Sequence, residues 1–106
     1  MKEITVEALK QRVDNGENLH VLDVRELEEY NEYNIGAQLI PLGNIMNMMI
    51  DEIEDLKEEE VIIHCRSGKR SMQACMVLEQ AGFTNLVNVT GGALAWQEKY
   101  GNTKLG

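Results

Sequence analysis

Apolar residues recur along the chain at two spacings, and the two kinds of segment alternate. Val6, Leu9 and Val13 lie three and four positions apart, which predicts a helix over Val6–Asp14 with Thr5 as its N-cap. Further helices are predicted over residues 26–30, 44–56, 71–81 and 92–100. Short segments rich in apolar and β-branched residues predict strands over residues 19–24, 38–40, 61–64 and 86–89.

Strands that alternate with helices predict an α/β fold with a parallel sheet, because right-handed βαβ units join parallel strands through a helix. The segment Val61-Ile62-Ile63 is continuously apolar, as expected for a strand that helices cover on both faces. A chain of 106 residues fits one domain, so residues 1–106 are expected to form a single unit. Sites in such sheets lie outside the carboxyl ends of the strands.

Composition and charge argue against several classes of partner. No apolar run approaches the roughly 20 residues of a transmembrane helix, so no membrane partner is expected. The net charge is −8, from 10 Lys plus Arg against 18 Asp plus Glu, and such a surface repels the phosphates of nucleic acids. The start Met1-Lys2-Glu3 lacks the apolar stretch of a signal peptide, which favours a cytoplasmic location. Two cysteines in a chain without an export signal do not indicate a disulfide framework, so one of them could be a reactive thiol.

One strand-to-helix junction carries the candidate chemistry, the segment Cys65-Arg66-Ser67-Gly68-Lys69-Arg70-Ser71. Cys65 is predicted to face the free amide groups that open the next helix, which favour an anion. Three cations follow Cys65 within five residues. Both features favour the thiolate, the nucleophilic form of cysteine. Gly68 lets the backbone form an anion-binding nest, and Ser71 is expected to cap the helix or to hydrogen-bond the sulfur.

The methionines have two interpretations. One face of the helix predicted over residues 44–56 carries Met46, Met49, Ile50 and Ile53, which are expected in the core. The stripe of the helix predicted over residues 71–81 consists of Ala74, Val77, Leu78 and Ala81, widened by Met72, Cys75 and Met76. Alternatively, exposed apolar side chains around the Cys65 loop would form an adaptable rim for a protein partner. The candidate residues for this rim are Ile45, Met48 and Met72.

Four segments in the same order resemble the rhodanese-like family over nearly the whole chain. Residues 65–71, CRSGKRS, resemble the active-site loop of that family, and residues 21–26, VLDVRE, resemble its second-strand signature. Residues 40–42, IPL, match the segment after its third strand, and residues 91–96, GGALAW, resemble its closing helix. The resemblance implies a central parallel five-stranded sheet flanked by helices on both faces.

The resemblance also implies a sulfurtransferase of the thiosulfate sulfurtransferase (rhodanese) type. Its catalytic nucleophile, Cys65, would take a sulfur atom from a small anionic donor such as thiosulfate and become a persulfide. The persulfide would then pass its outer sulfur to a thiol or cyanide-like acceptor. The other loop residues would form the substrate-binding cup: Arg66, Ser67, Gly68, Lys69, Arg70 and Ser71. By family position, Arg70 closes this cup, while Arg66 and Lys69 tune its potential.

No cofactor or metal is expected, because the sequence has neither a Gly-rich dinucleotide turn nor clustered metal ligands. Two alternative functions stay open. Phosphatases built on the same fold, and with them an arsenate reductase, form one alternative, but the phosphatase loop carries its arginine six positions after the cysteine. Here Arg70 is the fifth residue and Ser71 the sixth, which favours sulfur chemistry. The other alternative is a sulfur-relay or docking module, in which Cys65 exchanges sulfur with a protein donor or acceptor.

One departure from the family pattern affects the acceptor side of the site. The family usually shows a Gly-His-Ile stretch before the third strand, and here Tyr33 or Asn34 replaces the histidine. Attack by a thiolate needs no general base, so the loss need not abolish activity.

Several other residues are expected to be structural. Cys75 is predicted to fill the core, and Trp96 to anchor it. His64 should point away from Cys65, because neighbouring side chains on a strand alternate between faces. Asp23 and Arg25 are expected to brace the loop through charged hydrogen bonds.

Overall fold

Strands and helices alternate along the chain in the computed structural model, which describes residues 1–106. The strands are β1 (Lys2–Thr5), β2 (Val21–Asp23), β3 (Gln38–Leu39), β4 (Glu60–His64) and β5 (Asn85–Thr90). The α-helices are α1 (Val6–Asp14), α2 (Leu27–Glu32), α3 (Leu42–Met46), α4 (Lys69–Gln80) and α5 (Gly92–Tyr100), and a 3-10 helix spans Asp51–Leu56. None of these helices has the length and apolar character needed to cross a lipid bilayer.

The strands form one sheet in the order β1-β5-β4-β2-β3, and every neighbouring pair is parallel. The central strand β4 pairs its Ile62 with Val21 of β2 and with Val87 of β5. The predicted α/β class and its five-stranded parallel sheet are therefore confirmed. Because all five strands run in one direction, their carboxyl ends meet at one edge, where β4 continues into Cys65.

Helices cover both faces of the sheet and create two apolar clusters. On one face the cluster includes residues of α3, the 3-10 helix and α4, among them Ile45, Ile53 and Leu78. On the other face α1 and α5 contribute Leu9 and Trp96, which confirms Trp96 as a core residue. Val61 and Ile63 belong to the first cluster and Ile62 to the second, so β4 is apolar on both sides. The same alternation directs Cys65 to the face covered by α4.

The edge strand β1 was not predicted from the sequence pattern. Its residues Lys2–Thr5 are exposed except for the half-buried Ile4, so the segment lacks the apolar signature of the inner strands. Backbone pairing with residues 87–90 of β5 fixes it in the sheet. An edge strand pairs with one neighbouring strand and is exposed to solvent on its other side, so it needs fewer apolar residues than an inner strand.

The continuous helix predicted over residues 44–56 is wrong. Helix α3 ends at Met46, and the backbone of Met48 turns to a φ of +58° before the 3-10 helix begins. The break shifts the faces, so Ile45 is fully buried while Met46, Met48 and Met49 are 58%, 51% and 60% exposed. Ile45 is therefore core rather than rim, and Met46 and Met49 are surface residues rather than core.

Helix α4 is apolar on a narrower face than predicted. Ala74, Cys75 and Leu78 are buried, which confirms Cys75 as a core residue. Met72 and Met76 instead lie on the outer side of the helix, 41% and 58% exposed. Met48 and Met72, two of the three predicted rim residues, are thus exposed.

Candidate active site

The Cys65 sulfur lies at the carboxyl end of β4 and is surrounded by hydrogen-bond donors. The backbone N–H of Gly68 donates to Cys65 Sγ at 3.1 Å, and Ser71 Oγ lies 3.4 Å from the same sulfur. The residue as a whole is 1% exposed. The predicted contact between Ser71 and the sulfur is confirmed, and the amides of the loop face the thiol as expected.

Two opposing effects set the acidity of the Cys65 thiol. Burial raises its pKa, since a thiolate loses hydration there. The Ser71 hydroxyl and the backbone amides of Ser71, Gly68 and Ser67 lower the pKa by hydrogen bonding to the thiolate, and they prevail. The pKa of Cys65 therefore lies below its ordinary value, which favours the nucleophilic form.

The pKa of the other cysteine, Cys75, is shifted in the opposite direction. Burial in the apolar cluster under α4, followed by the charge of Glu79, raises the pKa of Cys75 to about 12. Cys75 therefore stays a neutral thiol at ordinary pH and acts as a small apolar residue.

Gly68 shapes the turn between the sulfur and helix α4. Its φ of +117° lies in a region that favours glycine, and Gly68 occupies the N-cap position of α4. Ser71 consequently lies inside the first turn, so the prediction that it caps the helix is wrong. Its hydroxyl instead lies within reach of Cys65, of the Gly68 carbonyl and of Asn88 on β5.

The amino end of α5 supports the loop from behind. The N–H of Ala93 donates to the Cys65 carbonyl at 2.8 Å, and the N–H of Leu94 donates to the Arg66 carbonyl at 3.0 Å. Gly92 makes this approach possible, because a Cβ there would lie 2.4 Å from the Cys65 carbonyl oxygen. The GG pair at residues 91–92 was noted as a family feature, but its contact with the loop could not be predicted from the sequence.

Arg70 forms an ion pair that the sequence did not predict. Its Nη1 and Nη2 donate to Glu29 Oε1 and Oε2 of α2 at 2.6 and 2.8 Å. This bidentate contact holds the pKa of Glu29 at about 2, with burial opposing the effect. The family position implies contact between Arg70 and substrate, and here the guanidinium is bound to a carboxylate.

Arg66 and Lys69, by contrast, are exposed and form no ion pair within the chain. Arg66 lines a cleft with Arg25 and Glu29 between α2 and α5. Lys69 lines a shallow groove that also contains Ser67 and Met72. Two of the three loop cations are thus free to meet an anion, one on each side of the loop.

Asp23 and Arg25 form a buried pair on β2 and just after it. Arg25 Nη2 donates to Asp23 Oδ2 at 2.7 Å and to the Tyr33 carbonyl at 2.7 Å. The pair therefore ties β2 to the turn before β3, and Asp23 reaches the Cys65 carbonyl indirectly, through the ring of His64.

His64 precedes the nucleophile and lies within the sheet. Its Nδ1 is 3.1 Å from the Cys65 carbonyl oxygen, and its Nε2 is 3.5 Å from Asp23 Oδ2. Burial lowers the pKa of His64, although the charge of Asp23 opposes this, so the ring is neutral near neutral pH. These contacts fit the predicted structural role.

Asn34, one of the two residues at the place of the missing family histidine, is used by its own turn. Its Oδ1 accepts from the N–H of Gly36, and its Nδ2 donates to the Tyr30 carbonyl. The structure also contains no group of three or more His, Cys, Asp or Glu side chains arranged to hold a metal ion.

The fold and the Cys65 loop together define a rhodanese-like domain, and comparison with known proteins gives the same result. The sequence profile of the Rhodanese-like domain family matches residues 5–99. The chain belongs to this family. A rhodanese-like domain protein from Staphylococcus aureus, 35% identical, superposes with a TM-score of 0.80 over 91% of each chain.

Two relatives from Bacillus subtilis are similar in sequence. YtwF, provisionally named a sulfurtransferase, is 43% identical over 105 residues, which cover 98% of this chain and 95% of YtwF. YrkF, provisionally named a sulfur carrier protein, is 41% identical over 98 residues, which are 92% of this chain but 51% of YrkF. The chain thus spans about half the length of YrkF and nearly all of YtwF.

Proposed function

We propose that the chain is a sulfurtransferase that carries sulfur as a persulfide on Cys65. The supporting observation is the set of donors at 3.1 and 3.4 Å from Cys65 Sγ, which stabilise a thiolate at the end of β4. Membership of a family with relatives named sulfurtransferases agrees with this chemistry.

With thiosulfate as donor, the Cys65 thiolate attacks the outer sulfur, and the S–S bond of thiosulfate breaks. Sulfite leaves with the bonding electron pair, and a persulfide forms on Cys65. A thiolate or cyanide ion then attacks the outer sulfur of the persulfide, which regenerates the Cys65 thiolate. No net oxidation or reduction of the protein occurs over the cycle.

The remaining loop residues are proposed to bind the donor. Amides from Ser67 onward face the Cys65 sulfur, where the anionic donor would bind, and the exposed cations Arg66 and Lys69 would attract it. Arg70 and Ser71 complete the cup with Gly68. The pairing of Arg70 with Glu29 reduces the positive charge that any small anion meets at the loop. The position of Arg70, five residues after Cys65 rather than six, favours sulfur transfer over the phosphatase alternative.

The intact mass of the protein after exposure to thiosulfate tests this function. We expect a gain of one sulfur atom that cyanide reverses and that Cys65→Ser abolishes. Cys75→Ser is the matched control and should load normally, because Cys75 is buried with a pKa of about 12. A gain that persists in Cys65→Ser would contradict the proposal.

A second candidate function is a sulfur relay, in which Cys65 receives its sulfur from a protein persulfide. The observation that favours it is a methionine surface, formed by Met46, Met72 and Met76, that begins beside the loop. The mass experiment separates the two functions if a cysteine desulfurase loaded with cysteine is used as a second donor. Loading by the desulfurase without loading by thiosulfate would favour the relay.

A further inference from the structure

The buried amide of Asn88 lies next to the Cys65 loop and takes no part in the proposed sulfur transfer. Asn88 on β5 is 1% exposed, and its Oδ1 lies 2.5 Å from Ser71 Oγ. Its Nδ2 lies 3.4 Å from the Gly68 carbonyl oxygen and 3.4 Å from Glu3 Oε1. A polar side chain buried to this extent is normally held by its hydrogen bonds, and two of the three available here, to Ser71 and Gly68, involve the Cys65 loop.

The Ser71 hydroxyl has more acceptors than it has protons. A serine hydroxyl donates one hydrogen bond, yet three acceptors surround Ser71 Oγ: Cys65 Sγ at 3.4 Å, the Gly68 carbonyl at 3.1 Å and Asn88 Oδ1 at 2.5 Å. Only one of them can receive the proton at a time. Whichever acceptor holds it decides whether Ser71 stabilises the Cys65 thiolate.

The surroundings of Asn88 fix which end of its amide faces Ser71. The opposite end meets two acceptors, the Gly68 carbonyl and the Glu3 carboxylate, and only the NH₂ group can donate to them. The carbonyl end must therefore face Ser71, as a second acceptor for the hydroxyl proton beside the sulfur. Asn88 consequently competes with the sulfur for the donor that the thiolate needs.

We propose that Asn88 is a positioning residue that controls the hydrogen bond from Ser71 to the Cys65 sulfur. By competing for the Ser71 proton, Asn88 limits the stabilisation of the thiolate and keeps it basic and nucleophilic. A thiolate that accepts more hydrogen bonds has a lower pKa, and the nucleophilicity of a thiolate falls as its pKa falls. Glu3 supports this arrangement from β1 by fixing the orientation of the amide.

The charged groups around the sulfur do not replace this effect. Arg70 on α4 is paired with Glu29, Arg66 and Lys69 are exposed on the loop, and Glu3 contacts Asn88 rather than the sulfur. His64 on β4 is held against the Cys65 carbonyl and Asp23. The proposal deepens the proposed function, yet its test measures the thiol itself and does not require sulfur transfer.

The test is the pKa of Cys65, followed through the pH dependence of its alkylation by iodoacetamide, with Cys65→Ser as the blank. In Asn88→Leu the Ser71 proton is free to reach the sulfur, so we expect the pKa to fall by about one unit, the effect of one hydrogen bond to a charged acceptor. The limiting alkylation rate at high pH should fall about threefold, because the thiolate becomes less basic. Asn88→Asp should shift the pKa upward, since a carboxylate holds the Ser71 proton more strongly and repels the thiolate.

The decisive comparison repeats the measurement in a protein that also carries Ser71→Ala. Without the hydroxyl, Asn88→Leu should leave the Cys65 pKa unchanged, whereas a merely structural Asn88 would give the same change in both backgrounds. Thermal unfolding shows whether each variant is folded. If Asn88→Leu does not fold, the Cys65 pKa of Asn88→Asp is compared with and without Ser71 instead. An unchanged pKa in the folded variants, or an equal change with and without Ser71, would overturn the proposal. Persulfide formation is measured separately, so failure of the sulfurtransferase function would not imitate either result.

Discussion

The charge of Arg70 shows how one contact between residues changes the character of the site. Of the three loop cations, Arg70 is the one bound to a carboxylate, and both of its terminal nitrogens contact Glu29. The pair joins α2 to the start of α4 beside the sulfur. It holds the loop in place, and it also reduces the positive field that a small anion meets on approach.

This pair makes stability depend on pH in a defined window. The pKa of Glu29 is about 2 in the folded protein, below its usual value of 4.5, so the folded state releases that proton more readily than the unfolded chain. The resulting stabilisation is complete above a pH of about 4.5 and is lost as the pH falls towards 2. We therefore expect Glu29→Gln to be destabilising near neutral pH, with the difference from wild type shrinking on acidification. Urea unfolding at several pH values measures it.

Glu28→Gln is the matched control for that prediction, because Glu28 is an exposed carboxylate on the same helix without an ion pair. Its unfolding free energy should follow that of wild type across the window. Glutamine at position 29 can still accept from the Glu26 N–H, so the start of α2 is preserved. A constant difference between wild type and Glu29→Gln at all pH values would show that the pair does not carry the effect.

At the scale of elements, the position of the sulfur depends on the approach of α5 to the loop. Two amides of its first turn hold the Cys65 and Arg66 carbonyls, and no side chain of α5 takes part. The contact therefore requires a small residue at the start of the helix rather than a particular chemical group.

Gly92→Ala tests this contact. The added methyl group would lie 2.4 Å from the Cys65 carbonyl oxygen and 2.7 Å from the Arg66 carbonyl oxygen, so either α5 or the loop must move. We expect the free energy of unfolding to fall by about 2 kcal/mol or more and the alkylation rate of Cys65 to change with it. Gly43→Ala in α3 is the control, because a Cβ there meets nothing within 4 Å, and its stability should stay within about 0.5 kcal/mol of wild type. Equal stability of the two variants would contradict the role of Gly92.

Helices α1 and α5 and the inner strands could be predicted because each has its pattern within one continuous segment. The break after α3 could not, since it depends on the φ of +58° at Met48, where the apolar spacing continues as if the helix did. That single turn reversed the assignments of Ile45, Met46 and Met49. Strand β1 was missed because pairing with β5, rather than its own composition, makes it a strand.

Separation along the chain likewise decides which contacts of the site could be predicted. The contact of Cys65 with Ser71 could be predicted, since both lie in one short segment between a strand and a helix. Asn88, which contacts Ser71, lies 17 residues after it in the sequence. Glu29, which contacts Arg70, lies 41 residues before it. No local pattern links residues so far apart, and the sheet order that brings them together is known only from the fold.

At the scale of the whole molecule, the surface combines a net charge of −8 with an apolar area beside the Cys65 loop. Met72 and Met76 line a groove shared with the Cys65 loop, and Met76 and Met46 line the next one. Unbranched thioether side chains adapt to different partner surfaces, and soluble proteins rarely expose several of them together without a use. This methionine surface is the feature that favours a protein persulfide as sulfur source.

If a protein donor docks there, its contribution can be separated from the chemistry at Cys65. We expect Met46→Gln with Met76→Gln to slow the transfer of sulfur from a loaded cysteine desulfurase about tenfold, as loss of central apolar contacts does at other interfaces. Loading by thiosulfate should be unchanged, since neither side chain contacts the sulfur. Leu27→Gln is the control, because Leu27 is 53% exposed on α2, outside the methionine surface. Equal slowing with both donors would place the effect in the catalytic loop, and undiminished transfer from the desulfurase would rule out this surface as its docking site.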